Sequence, residues 1–159
     1  MTTKKSLNIS PTIENRSAKY NYFVEDTYIA GVVLSGPEVI AIRQGKCNLK
    51  DSWCFINENN EIYVKNMYIS NTNLANNSFV KYNETADRKL LLHKSEINKL
   101  SKLIDNSGKT IIPLKLYRAD NGYFKMLIGI CTGKKQYDKR NVIKERDANK
   151  EIMQAIKHF

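Results

Sequence analysis

Hydrophobic and polar positions alternate most clearly between Thr110 and Thr132, where Ile112, Leu114 and Leu116 mark one arm and Met126, Ile128 and Ile130 the other. Asp120-Asn121-Gly122 lies between the arms, and period two on both sides of an Asn-Gly pair predicts a β-hairpin. Upstream the period becomes helical: Ile97, Leu100, Leu103 and Ile104 share a face from about Lys94 to Ser107, with Gly108 as the stop. Ser35-Gly36-Pro37-Glu38 predicts another helix start, since Pro suits the first helical position and an early Glu suits the dipole. That helix runs to Arg43 or Gln44 and Gly45 ends it. Trp53 to Ile56 and Ile62 to Ile69 read as strands joined through Asn57-Glu58-Asn59-Asn60. Tyr20 to Leu34, with Tyr20, Tyr22 and Val24 alternating, reads as extended with a break around Glu25 to Thr27. Leu90 to Leu92 is a short apolar run, and Asn71 to Asp87 a long polar connection with Phe79 and Val80 as its main apolar anchors.

Antiparallel strands interrupted by two helices predict an α+β domain, mainly β, whose sheet closes into a small barrel, because closure removes exposed edges. The 159 residues are one domain's worth. Residues 1–14 are polar and aperiodic and read as a flexible N-terminal arm, 15–132 as the body, and 133–159 as a basic C-terminal tail.

The tail has helix-forming residues throughout but little to hold a helix in free solution. Lys134, Lys135, Lys139, Arg140, Lys144, Arg146, Lys150 and Lys157 outnumber Asp138, Glu145, Asp147 and Glu151. Arg140 with Lys144, Arg146 with Lys150, and Asp147 with Glu151 are like-charged neighbours at helical spacing, each costing a few tenths of a kcal/mol. Ala148, Ile152, Ala155, Ile156 and Phe159 make only a narrow apolar stripe, with Val142, Ile143 and Met153 outside it. Such a tail is expected to be largely disordered alone and to fold where a polyanion supplies counter-charge. The competing reading is a solvated helix packed on its own domain.

Composition narrows the partners. A formal net charge of +10 favours anionic ones, RNA or DNA first. A membrane surface fits less well, because the tail lacks the broad Trp/Phe-bearing face of interfacial helices. Cys47, Cys54 and Cys131 are odd in number and contain no Cys-x-x-Cys pair, so neither a disulfide framework nor a zinc site is expected and a reducing cytoplasm fits. No secretory signal follows Lys4 and Lys5, and the longest apolar run, Met126 to Cys131, is far short of a membrane span.

For catalysis the residues are poor. His93 and His158 belong to no metal-ligand spacing, and Glu25-Asp26 would point to opposite faces of a strand. No phosphate-binding glycine loop or nucleophile elbow occurs, and no metal or cofactor is expected. RNA binding is better supported, because it needs cations for phosphates and flat side chains for unstacked bases. Arg16, Lys19, Tyr20 and Tyr22 combine both, and nine tyrosines weight the aromatic inventory toward rings with a wet hydroxyl. Arg43 with Lys46, and Arg88 with Lys89, add small basic clusters at element ends.

A series of motifs then appears in order. Asn15-Arg16 is followed by Ala18 and Tyr22-Phe23; Glu38-Val39 by Arg43, Gly45-Lys46, Leu49 and Asp51-Ser52; then come Asn66-Met67 and Ile69-Ser70. Arg88 to His93, Pro113 to Tyr117, Gly133-Lys134-Lys135, Tyr137 to Arg140 and Ile143 to Asp147 complete it. With these the chain resembles the SsrA-binding protein (SmpB) family, bacterial partners of transfer-messenger RNA (tmRNA), from Asn15 to about Ile152.

The resemblance implies an OB-like antiparallel barrel with flanking helices and a C-terminal tail, acting without enzymatic chemistry as a cytoplasmic monomer in trans-translation, the rescue of stalled ribosomes. It implies that the body binds the tRNA-like domain of tmRNA, with Asn15, Arg16, Lys19, Tyr22, Glu38, Arg43, Lys46, Lys89, Leu91, His93 and Lys125 as candidates and Lys134 and Lys135 at the tail's root. Tyr137, Asp138, Lys139 and Arg140 would meet the ribosomal decoding centre, and a helix from Ile143 to Met153, bearing Lys144, Arg146 and Ile152, would follow the empty mRNA path. The elongation factor that carries aminoacylated tmRNA would be an indirect partner. Ile29, Pro37, Ile40 and Tyr68 depart from the family's usual residues. Two other functions fit the same chain: a small ribonuclease or RNA-modifying enzyme pairing His93 with Glu38, and a general ribosomal or initiation-type OB-fold protein.

Overall fold

The computed structural model describes residues 11–70 and 83–157, so the predicted connection is seen only at its two ends, and Phe79, Val80, His158 and Phe159 lie outside the described residues. The chain is α+β and mostly sheet, with four helices among the described residues. In chain order these are β1 (Ile13–Glu14), α1 (Arg16–Asn21), β2 (Tyr22–Val32), α2 (Gly36–Arg43), β3 (Cys47–Asn48), β4 (Trp53–Ile56), β5 (Ile62–Lys65), β6 (Tyr68–Ile69), β7 (Arg88–Leu91), α3 (Lys94–Ser107), β8 (Thr110–Arg118), β9 (Phe124–Gly133) and α4 (Gln136–Lys157). Seven strands form an antiparallel sheet in the order β1-β8-β4-β5-β7-β2-β9, and β9 also pairs with β8. β3 and β6 form a separate two-stranded sheet.

Both predicted hairpins form, with the same three-residue loop. Gly122 N–H bonds Ala119 O at 2.9 Å and Ala119 N–H bonds Tyr123 O at 2.8 Å, with Gly122 at φ 89°. In the β4–β5 loop Asn60 takes that left-handed place at φ 60°, and Asn57 Oδ1 accepts from Asn59 and Glu61 N–H. A type I turn followed by one left-handed residue is the usual three-residue hairpin, and Asn bears that conformation better than most side chains. α2 and α3 form where the caps predict them: Glu38 accepts from Ser35 Oγ at 2.9 Å, and Gly108 closes α3 at φ 61°.

Three expectations are corrected. Tyr20 belongs to α1, not to an extended run, because Asn15 caps a helix there: its Oδ1 accepts from Ala18 N–H at 3.3 Å. The strand expected to continue to Ile69 breaks at Asn66, which adopts φ 61° and sends Tyr68 and Ile69 to pair with β3. The face expected of Ile112, Leu114 and Leu116 is split, because the β8–β9 register shifts between Pro113 and Lys115. Pro lacks a ladder donor and favours such irregularities. Leu116 therefore joins the main core with Ile111, while Ile112 and Leu114 pack outside it. The break expected around Glu25 to Thr27 is a second such shift, between Val24 and Asp26.

The core joins Met126, Ile128 and Ile130 of β9 to Ile62, Val64 and Leu90, with Ala41 and Ile42 of α2 and Ile97 and Leu100 of α3 covering it. Each large aliphatic side chain so buried contributes about 1.5–3 kcal/mol. A second, smaller cluster holds Ala18 of α1 against Ile112 and Cys131, with Tyr22 and Leu114 at its edge. That cluster fixes α1 on the outside of β8 and β9.

Candidate nucleic-acid interface

Asn15 shows how the sequence places α1. The shift at Pro113 leaves two carbonyls facing it: Asn15 Nδ2 donates to Pro113 O at 2.8 Å and its backbone N–H to Leu114 O at 2.8 Å. Its Oδ1 meanwhile accepts from Ser17 Oγ and Ala18 N–H. All its polar groups are spent inside the fold, and with Ala18 turned inward, Arg16 and Lys19 are left exposed on the other side of α1. Asn15→Ala is expected to cost about 1–3 kcal/mol, from a lost cap and an unpaired buried carbonyl. Asn15→Asp keeps the cap acceptor but turns a carboxylate oxygen toward the Pro113 carbonyl in a buried site, and should cost at least as much; equal midpoints for all three proteins in urea would contradict this role.

The tail's root is tied to the same helix. Lys134 N–H bonds Asn21 O at 2.8 Å, its Nζ donates to Lys19 O at 2.9 Å, and the ammonium stands 4.8 Å from the centre of the Phe23 ring. α4 begins two residues later, earlier than the predicted Ile143, and is one helix from Gln136 to Lys157. Arg140, Ile143, Lys144, Arg146, Ile152 and Met153 are exposed along it. Tyr137, Asp138 and Lys139 lie in its first turn, where the side chains are outside the described residues. Arg146 comes back toward α1, and with Glu14, Arg16, Lys19, Lys115 and Leu127 it lines a groove of about 510 Å³.

From this groove the outer face of the sheet runs on in register. Lys115, Leu127 and Ile29 are neighbours across β8, β9 and β2, and the next outward row is Tyr117, Lys125, Gly31 and Leu91. Directly paired positions share a face. Lys125 and Leu91, far apart in sequence, are thereby brought together, with Lys89 two residues from Leu91. Ile29, Val33 and Leu91 are 56%, 50% and 54% exposed. This is an apolar strip edged by cations, unusual on a surface that no element among the described residues covers. His93 is exposed just beyond it, at the cap of α3.

Other predicted site residues sit differently. Tyr22 is half-buried against the Ala18 cluster. Lys89 Nζ pairs with Glu61 at 3.3 Å, and Glu61 also accepts from Tyr63 OH; these bonds, Tyr63 first, hold its carboxyl below the usual range. Lys135 is exposed. Arg43 and Lys46 are exposed at the end of α2, beside the small β3–β6 sheet and not on α1. Glu38 bonds Ser35 with one oxygen and Arg88 Nε with the other. Arg88, read from sequence as part of a surface basic cluster, is 4% exposed. Its other nitrogens donate to the carbonyls of Met67 at 2.6 Å, Ala86 at 3.0 Å and Glu84 at 3.1 Å. With the Glu38 carboxylate committed to that ion pair, the arrangement gives no support to a His93–Glu38 acid and base.

Sequence reasoning passed over a second aromatic surface. Trp53, Phe55 and Tyr63 lie in a row on the outside of β4 and β5 with centroids 5.7 Å apart, and Lys65 Nζ is 5.7 Å from the Trp53 ring. The signal was present as alternation within the two strands. Burial holds the three free thiols neutral, raising Cys131 to about 11 and Cys47 to about 12, and Cys54 further still. Among the described residues no group of three or more His, Cys, Asp or Glu could hold a metal ion, and no helix is long and apolar enough to cross a membrane.

Comparison with known proteins adds a consistent result. The family model described as "SmpB protein" matches residues 12–158. The chain is 43% identical over 146 residues to the SsrA-binding protein of Limosilactobacillus reuteri (strain DSM 20016), covering 92% of this chain and 90% of that one. It is 46% identical over 146 residues to the SsrA-binding protein of Geobacillus sp. (strain WCH70), covering 91% and 90%. It is also similar to a chain of the solved structure "tmRNA-SmpB: a journey to the center of the bacterial ribosome", with a TM-score of 0.64, 38% identity, and coverage of 79% of this chain and 86% of that one.

Proposed function

The chain belongs to the SmpB family, and from that premise we propose that it binds the tRNA-like domain of tmRNA and delivers it to stalled ribosomes for trans-translation. The observation that carries this reading is the outer face just described, where Arg16, Lys19, Lys115 and Lys125 edge the exposed Ile29, Val33 and Leu91. Cations position phosphates and apolar side chains cover the unstacked edge of a folded RNA, which is how non-helical RNA is recognised.

Within this face Arg16, Lys19, Lys89, Leu91 and Lys125 make the contacts, while Asn15, Glu38 and Lys134 act by holding the elements that carry them. Arg43, Lys46, Lys135 and His93 extend the cationic surface at its margins. The circuit of strand pairings, β8 through β4, β5, β7 and β2 to β9 and back to β8, is read as an OB-like barrel. Such closure would leave no free edge for wrong pairing and would give the face a rigid base. The tail, from Tyr137 onward, enters the decoding centre and the vacant mRNA path, folding there and largely disordered before. The protein works as an adaptor rather than an enzyme, as a cytoplasmic monomer, and meets the elongation factor only through the RNA it holds.

Phosphate contacts dominate such an interface, so affinity for tmRNA is expected to fall steeply with salt. Six to ten contacts would lose roughly 10³ to 10⁵ between 50 and 200 mM by the duplex-DNA rule. A filter-binding titration across that range tests it, and a flat response would overturn the reading.

A further inference from the structure

Tyr123 stands at the turn of the β8–β9 hairpin, and it is 74% exposed, the highest value for any large apolar or aromatic side chain among the described residues. One exposed ring on a surface is ordinary. Three observations set this one apart. Its backbone is held from both sides: the N–H donates to Asn121 Oδ1 at 3.2 Å and the carbonyl accepts from Ala119 N–H at 2.8 Å. The ring therefore rides on a fixed hairpin end and not on a loose loop.

The second observation is that the side chain is unused. Tyr63 donates its hydroxyl to Glu61, and Tyr117 has the Lys115 ammonium 5.9 Å from its ring centre. Tyr123 has no hydrogen bond, ring contact or cation for its side chain among the described residues. The third is its place. Side chains alternate along a strand, and with Phe124 and Met126 buried, Tyr123 falls on the outward side with Lys125 and Leu127. Lys125 is opposite Gly31 in the antiparallel β2–β9 register, which, carried two residues on, sets Tyr123 beside Val33. Val33 is 50% exposed, and its N–H bonds Lys89 O at 3.0 Å. Tyr123 thus extends the apolar strip of Ile29, Val33 and Leu91 by a flat ring, next to Lys125, which has no carboxylate partner among the described residues.

A ring presented in this way, at the edge of a cationic face, matches the flat face of a base that its own RNA leaves unstacked. We infer that Tyr123 stacks on an unpaired base in a loop of the tRNA-like domain of tmRNA. The inference rests on the tmRNA reading above and deepens it, because it gives the face a contact that depends on the fold of the RNA and not on its charge. A tyrosine suits the task, since its ring offers a large contact area with only two side-chain torsions to order. A plain duplex keeps its bases inside the stack and cannot supply the partner.

Full-length protein and the isolated tRNA-like domain, with no ribosomes present, test it by filter binding across a salt series. Tyr123→Ala is expected to weaken binding about tenfold, within the range for one stacked base, and to leave the slope of log affinity against log salt unchanged, because no phosphate contact is lost. Tyr123→Phe keeps the ring and is expected to stay within twofold of the unaltered chain. Neither substitution removes a buried contact, so both variants should fold. An unchanged affinity for Tyr123→Ala would overturn the proposal, as would a flatter salt slope. Equal weakening by Tyr123→Phe and Tyr123→Ala would also overturn it, since the hydroxyl and not the ring would then make the contact. If the unaltered protein failed to bind the domain, the function on which the proposal rests would fall together with it, and visibly so before any variant is compared.

Discussion

A chain ending before Asp138 is expected to hold tmRNA nearly as tightly as the full-length protein and to support no peptide tagging on stalled ribosomes. The first half follows from where the contacts lie. Arg16, Lys19, Lys115, Lys125 and Leu91 all belong to elements that end at Gly133, and Lys134 stays to tie off α1. Removing α4 should also spare the fold, because Ile143, Ile152 and Met153 are 44%, 57% and 67% exposed and contribute little burial. The second half follows from the same exposure. The described side chains of this twenty-two-residue helix are exposed from Ile143 to Gln154, which fits the partner proposed for it on the ribosome. Ordering it costs on the order of 1 kcal/mol per residue, which only a surface rich in phosphates and wide enough to admit a helix can offset. An occupied mRNA channel offers no such room, which gives the tail a way to distinguish empty from filled. Parallel assays of RNA binding and tagging decide this; loss of both to the same extent would refute the division of labour between body and tail.

Arg88→Ala is expected to be the most damaging single substitution in the body, at about 3–5 kcal/mol, because it strands a partly buried carboxylate and three carbonyls together. The guanidinium ties α2 through Glu38 to Met67 on one side of the long connection and to Glu84 and Ala86 on the other. Losing it should loosen all three at once. Replacing both partners, Arg88→Met with Glu38→Leu, removes the unpaired charge and should restore that part of the loss, while the carbonyls of Met67, Ala86 and Glu84 stay unpaired. Urea denaturation of the single and double variants measures both. A single variant within 1 kcal/mol of the unaltered chain would show that the pair is not buried in solution.

These two variants mark what the sequence could and could not convey. Local signals read truly: the Asp120-Asn121-Gly122 hairpin, α2 between its Ser-Gly-Pro-Glu start and Gly45, and α3 between Lys94 and Gly108 all form where their caps and periods put them. What failed was set by distant partners. α1 is six residues with no apolar stripe and exists because Asn15 finds the carbonyls of Pro113 and Leu114, nearly one hundred residues away. Period two gave one face to Ile112, Leu114 and Leu116 because a register shift leaves no trace in spacing. Charge alone likewise could not separate Arg88, consumed inside the fold, from Arg16 and Lys19, which are exposed on α1. The groove was beyond reach for the same reason: Arg146 and Lys115 lie on separate elements, and only the packing of the tail beside α1 brings them to one place.

The most direct test of the account is a gel shift of full-length protein with labelled tmRNA in the presence of a hundredfold excess of bulk tRNA. Recognition by a shaped face predicts that the tmRNA complex survives the competitor and is lost only with the tRNA-like domain itself as competitor. Displacement by bulk tRNA at the concentration expected from charge alone would reduce the protein to a general polyanion binder and contradict the function assigned to it.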